Sequence, residues 1–196
     1  MNLELNCRCG KVAGMVSDIS PGMGNRLVCY CKDCQAFARS VDPEGDTLNE
    51  YGGTDIFQTA PCLVRITRGN EFVCCLRLTE KGLYRWFASC CNTPIGNTGN
   101  SGMPFVGLIH TFVSPDQDID SIIGPVQGSV FTKSSDGKIP DELKGPRSQF
   151  SMVFKMIVKL LSWKITSKGF PNPFFNAQGE PLAEPRVVGK GSTSTN

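Results

Sequence analysis

Hydrophobic and polar positions alternate in short runs along the first part of the chain. Lys11–Val16, Arg26–Tyr30, Cys62–Arg68, Glu71–Leu78, Leu83–Phe87 and Pro104–Val113, separated by turn residues, each read as a β-strand. Lys32–Val41 breaks this rhythm and is predicted to be a short helix. From Ser114 onward the texture changes, and Ser, Asp, Gly and Pro loops surround one long apolar stretch, Gln149–Thr166, which is predicted to be a helix. On a helical wheel Ser151, Ser162, Lys155, Thr166 and Lys159 fall within about 80° of one another, and nearly all the remaining arc is apolar. Such an arc needs cover on several sides: from the first unit, from Phe170–Phe175, or from a second subunit of a homo-oligomer. A basic amphipathic helix of this kind can also make weak contact with a membrane surface.

The expected fold class is therefore mainly β, over about residues 1–114, with a C-terminal extension over 115–188 that carries one long amphipathic helix. The extension is too small and too loop-rich to fold alone, so it is expected to pack onto the first unit. Residues 189–196 are expected to form a disordered tail.

Composition narrows the function classes. Of 196 residues 40% are hydrophobic and 19% charged, which supplies a core and excludes a disordered polyampholyte. Twenty Lys and Arg against 18 Asp and Glu leave a formal charge of +2, so no electrostatic case exists for nucleic acid as the partner. The N-terminus lacks the basic and apolar regions of a secretory signal, and no window of 18 uncharged apolar residues suggests a spanning helix. A cytoplasmic, reducing location is expected. There, ten cysteines beside one histidine point to metal binding, whereas a disulfide framework would need an oxidising compartment.

The sharpest local signal is Cys29-Tyr30-Cys31-Lys32-Asp33-Cys34. Three thiols within six residues can converge on one ion where the chain makes a tight knuckle, and Cys34 sits where the helix N-terminus favours a thiolate. No fourth ligand follows nearby, and three protein ligands with an open position is the pattern of a catalytic zinc. A second set is discontinuous: Cys7-Arg8-Cys9-Gly10 with Cys90 and Cys91, which would close as a structural site. Both count as candidate ligands; since adjacent cysteines rarely share one ion comfortably, a bystander among Cys90 and Cys91 is the alternative. Cys62 and Cys74 read as small buried apolar residues, Cys75 stays unassigned, and His110 reads as a satisfied core or edge residue. Asp33 reads as the cap of the helix that follows it.

These motifs, with Arg85-Trp86-Phe87 running into Cys91-Asn92-Thr93-Pro94, resemble the glutathione-dependent formaldehyde-activating enzyme family, which includes centromere protein V-like proteins. The resemblance covers about residues 1–112. It implies a β-tent type fold of short antiparallel sheets, with a structural zinc on Cys7, Cys9 and Cys91 and a second zinc on Cys29, Cys31 and Cys34, the catalytic-type residues. It also implies a carbon–sulfur lyase joining glutathione to formaldehyde as S-hydroxymethylglutathione. The late family motif F-C-x-x-C-G is here Phe87-Ala88-Ser89-Cys90-Cys91-Asn92, with Ala88 in place of a ligand. Cys90 replaces that ligand through a loop shift, or an outside ligand completes the site, or no metal binds there. Tyr30 stands where the family often has His.

Three thiolates around Zn²⁺ make a poor Lewis acid for hydrolysis but suit activation of a low-molecular-weight thiol for attack on a small aldehyde. Arg8, Lys11, Lys32 and Arg39 are the cations nearest the knuckles, available to an anionic thiol or simply to solvent. The alternative reading is a zinc-stabilised binding or carrier module without turnover.

Overall fold

The computed structural model describes residues 1–43 and 45–188; the expected tail at 189–196 lies outside the described residues. Among the described residues the chain forms eleven strands: β1 (Leu3–Asn6), β2 (Ala13–Val16), β3 (Asn25–Cys29), β4 (Thr54–Thr59), β5 (Val64–Arg68), β6 (Val73–Arg77), β7 (Tyr84–Ala88), β8 (Thr93–Thr98), β9 (Val106–Ile109), β10 (Ser129–Val130) and β11 (Arg186–Val187). The helices are α1 (Lys32–Val41), α2 (Ile119–Ile123) and α3 (Gln149–Ile165). A three-stranded sheet, β1-β2-β5, faces an eight-stranded sheet in the order β10-β3-β4-β9-β8-β7-β6-β11.

The larger sheet is antiparallel in its centre, but β10 joins β3 and β11 joins β6 in parallel. The expectation of short antiparallel sheets thus needs correction. Both parallel edge strands come from residues beyond 115, whose chain returns to cover the edges of the sheet.

Strand alternation sends side chains to two cores. Phe57, Trp86, Ala88, Val106 and Leu108 point between the sheets, against Leu3, Leu5 and Val16. Leu27, Cys29, Ile56, Leu76 and Ile109 point the other way and receive α1 through Cys34, Phe37 and Val41. The spacing Cys34, Phe37, Ala38, Val41 is the buried stripe of α1.

β8 was not legible as a strand, because Thr93-Pro94-Ile95-Gly96-Asn97-Thr98 reads as turn chemistry. It lies wholly buried between β7 and β9. Pro94 is tolerated because the β7–β8 register shifts there, and Gly96 because an added Cβ would lie 2.7 Å from the Gly107 carbonyl oxygen. Its polar side chains find partners: Trp86 Nε1 donates to Thr98 Oγ1 at 2.9 Å, and Arg85 donates to Asn97 Oδ1 at 3.0 Å.

The apolar stretch forms α3 but ends at Ile165, with Thr166 as its cap. Only Met152 and Trp163 are buried within it. Phe174 and Phe175 do not cover it. They pack on Trp86, at ring separations of 4.7 Å and 5.9 Å, and so close the other core. Trp86→Phe should cost about 1–3 kcal/mol, measured by denaturant unfolding, because Thr98 keeps its buried hydroxyl without its donor and the Phe174 stack shrinks.

Candidate metal centre

The first cluster forms between two loops. The β1–β2 turn is closed by Gly10 N donating to the Cys7 carbonyl, with Gly10 at φ 73°, and it brings Cys7 and Cys9 together. The β7–β8 turn is closed by Cys91 N donating to the Ala88 carbonyl, with Asn92 left-handed at φ 55°. The Sγ atoms of Cys7, Cys9, Cys90 and Cys91 all lie within 4.8 Å of one another. Individual separations are 3.6 Å for Cys7–Cys9, 3.8 Å for Cys7–Cys90, 3.4 Å for Cys9–Cys90 and 3.8 Å for Cys90–Cys91. Four sulfurs at tetrahedral Zn–S distances would stand about 3.8 Å apart. The donor set and its spacing fit zinc.

Cys90 and Cys91 both come within reach of Cys7 and Cys9, because the tight turn after Ala88 brings both side chains to the β1–β2 loop. Ala88 itself is fully buried in the core between the sheets, in the same apolar group as Cys7. Val12 N donates to Cys7 Sγ at 3.2 Å, and the Thr93 hydroxyl lies 3.1 Å from Cys91 Sγ while accepting from Arg8 N at 3.0 Å. Burial opposes ionisation of Cys91, but Thr93 and the Cys9 and Cys7 groups hold it down at about 6; burial pushes Cys7 and Cys90 up. One thiolate among neutral thiols is the ordinary compromise of like charges crowded together.

The second cluster is local. Cys29 ends β3, Cys31 caps α1 and Cys34 lies in its first turn, with Cys34 N donating to Cys31 Sγ at 3.4 Å. Cys31, not Asp33, is therefore the cap, since Asp33 already lies inside the first turn. The three Sγ atoms again lie within 4.8 Å of one another, and no His, Asp or Glu among the described residues joins them. Cys31 is held down at about 2 by hydrogen bonds from Cys29 and Cys34, and those same contacts push Cys29 up.

Arg85, only 2% exposed, reaches this trio from β7, its Nη1 lying 3.8 Å from Cys34 Sγ and its guanidinium over the Phe37 ring. Among the described residues no carboxylate forms an ion pair with it. A buried cation requires a counter-charge, and three thiolates holding a divalent ion carry a net charge of about −1. Arg85 fits that charge. Thr54, the cross-strand partner of Cys29, adds a buried hydroxyl with no hydrogen-bond partner.

The two clusters are linked through Arg8, which pairs with Asp42 at 2.7 Å and with Asp46 at 2.7 Å; Asp42 is the C-cap of α1. The other cations near the knuckles are also engaged. Lys32 and Arg39 pair with Asp136, and Lys11 lies over the Phe72 ring. His110 joins neither cluster; its ring nitrogens meet the Asp55 and Asp46 carbonyls. It lines a cavity of about 620 Å³ with Arg8, Arg26, Asp46 and Asp55, on the face of β3 and β4 opposite the trio. Cys75, not Cys74 or Cys62, is the buried one of the remaining thiols, because it points at Trp86 between the sheets.

Fold and site together define a mainly β protein with two cysteine clusters able to hold zinc-like metal ions. The chain belongs to DUF6151, a family of unknown function, whose model matches residues 2–186. Among solved structures it is similar to a Rhodobacter sphaeroides protein, a Northeast Structural Genomics target, at 17% identity and a TM-score of 0.45, covering 63% of this chain and 97% of that one. No curated protein matches it. No helix among the described residues is long and apolar enough to cross a membrane.

Proposed function

We propose that this protein is a zinc-dependent carbon–sulfur enzyme of the lyase type, which joins a low-molecular-weight thiol such as glutathione to a small aldehyde such as formaldehyde. The observation that carries the reading is the three-thiol site beside buried Arg85, which has three protein ligands for an ion that takes four. The pairing of this site with a four-cysteine cluster, on a β scaffold of two sheets, also favours the formaldehyde-activating resemblance and its β-tent fold.

Zinc bound there would hold an incoming thiol as a thiolate at neutral pH. Cys29, Cys31 and Cys34 would bind the ion, and the knuckle between β3 and α1 fixes their geometry. Arg85 balances the negative charge that gathers around them. In the reaction a sulfur–carbon bond forms and the carbon–oxygen double bond becomes single. The thiol proton ends on the aldehyde oxygen. Holding both reactants at one ion would lower the entropic barrier.

The test is NMR of ¹³C-formaldehyde with glutathione, comparing the metal-loaded protein with Cys31→Ser. Adduct exchange is expected to accelerate by at least about 100-fold with the wild type and to fall to the uncatalysed rate in the variant. Equal rates in both samples at full metal occupancy would favour the second reading, a zinc-stabilised carrier or binding module. That reading draws on the burial of Cys29 and Cys34 beneath Phe37 and Leu76.

A further inference from the structure

We propose that α3 is a membrane-surface docking element, which lays its outer face into the interface of an anionic bilayer. The helix is amphipathic in the inverted sense. Its inward side is held by Met152 and Trp163 and by Lys159, whose Nζ donates to the Gly22 and Met23 carbonyls at 2.7 Å and 2.8 Å. Its outward side carries Phe150, Phe154, Ile157, Val158, Leu161 and Ile165, which fall within an arc of about 100°. Phe150 is 81% exposed and Ile165 82%, so the apolar stripe is open from end to end. Next to the first turn Phe131, whose amide donates to Gln149 Oε1, is 51% exposed and held at φ 58°, a conformation that bulky residues rarely adopt.

Charge selects the occupant. From Leu143 to Gly179 the chain carries six Lys and Arg and no Asp or Glu. Lys155 and Lys168 are half-buried at the flanks of the helix, and Lys164 is exposed on it. A second copy seated on this stripe would bring cation to cation with no acid in the segment to answer it. Residues 189–196, Gly-Lys-Gly-Ser-Thr-Ser-Thr-Asn, contain no large apolar side chain that could cover it. An anionic lipid surface satisfies both features, since apolar side chains enter the acyl boundary while lysines meet headgroup phosphates. The helix is not of a kind that crosses a bilayer, so it lies in the plane.

The experiment is flotation of the full metal-loaded chain with vesicles of phosphatidylcholine alone or mixed with phosphatidylserine, at low and high salt. Recovery with the phosphatidylserine vesicles is expected, with at least a tenfold loss of partitioning in Phe154→Ser/Leu161→Ser. Lys155→Gln/Lys164→Gln/Lys168→Gln should lose about tenfold as well and retain little salt dependence. These side chains are not core residues, so metal content and circular dichroism should match the wild type and separate a docking defect from misfolding. No recovery at low salt overturns the proposal. If the wild type then sediments as a dimer that Phe154→Ser/Leu161→Ser dissociates, the stripe belongs to a second copy; if it sediments as a monomer, nothing docks there.

Discussion

Cys7→Ser or Cys90→Ser is expected to lower the metal content from two ions per chain to one and to reduce the thermal midpoint by about 10–20 °C. The size of the effect follows from what the cluster joins. Cys7 and Cys9 sit on the loop of the three-stranded sheet, whereas Cys90 and Cys91 sit on the β7–β8 loop of the eight-stranded sheet. An ion held by all four staples the two sheets over the core that contains Trp86 and Leu5. Structural zinc contributes about 10–16 kcal/mol to small domains that fold only with metal. Here a preformed core retains part of the fold, so a loss of about 5 kcal/mol is expected, against a total stability of about 5–15 kcal/mol. Cys91→Ser should match Cys90→Ser. A full complement of metal in Cys90→Ser, by inductively coupled plasma mass spectrometry, would show that three cysteines suffice and return Cys90 to the role of bystander.

Arg85→Met is expected to weaken metal binding at the trio by about 10–100-fold while leaving the four-cysteine cluster loaded. Cobalt substitution reads the two sites through their sulfur-to-metal absorption, and competition with a chelator resolves which ion leaves first. The converse variant is equally informative. Cys34→Ala removes a thiolate and strands a guanidinium that is 2% exposed, at a cost of about 3–5 kcal/mol. If Arg85 and the trio answer each other's charge, the double variant recovers part of that loss and the cycle shows a coupling of about 1 kcal/mol or more. Additive losses would leave Asn97 as the partner that accounts for Arg85.

Some of this architecture was readable from local pattern alone. Lys32–Val41 stands in the structure with the bounds its periodicity implies, because its stripe of Cys34, Phe37, Ala38 and Val41 is self-consistent at 3.6 residues per turn. The six anticipated strands all appear: β3 and β7 keep their length one position off, and the other four are shorter by two to six residues, where alternation meets a turn. β1, β4, β8 and the two-residue edge strands β10 and β11 escaped. β8 did so because its Pro, Gly and Asn are acceptable only where a register shift, a close neighbour and a buried arginine receive them. Arg85 was visible as part of Arg85-Trp86-Phe87, yet nothing local marks a cation in an alternating strand as facing a thiol 51 residues earlier in the chain. The spacing around Cys29 was informative because its three thiols close within one knuckle.

Short-range spacing was enough to establish the cysteine trio, the helix it caps and the β character of the chain, since each depends on residues within one turn or one strand of each other. Contacts between distant segments settled the rest. They chose both Cys90 and Cys91 for the clasp, aimed Arg85 at the trio and sent Phe174 and Phe175 to Trp86, which left α3 with its apolar stripe facing outward. Periodicity reports that a helix has an apolar side. Which side meets the protein depends on the three-dimensional partners that compete for it, and here Lys159 won the inward position by reaching two backbone carbonyls.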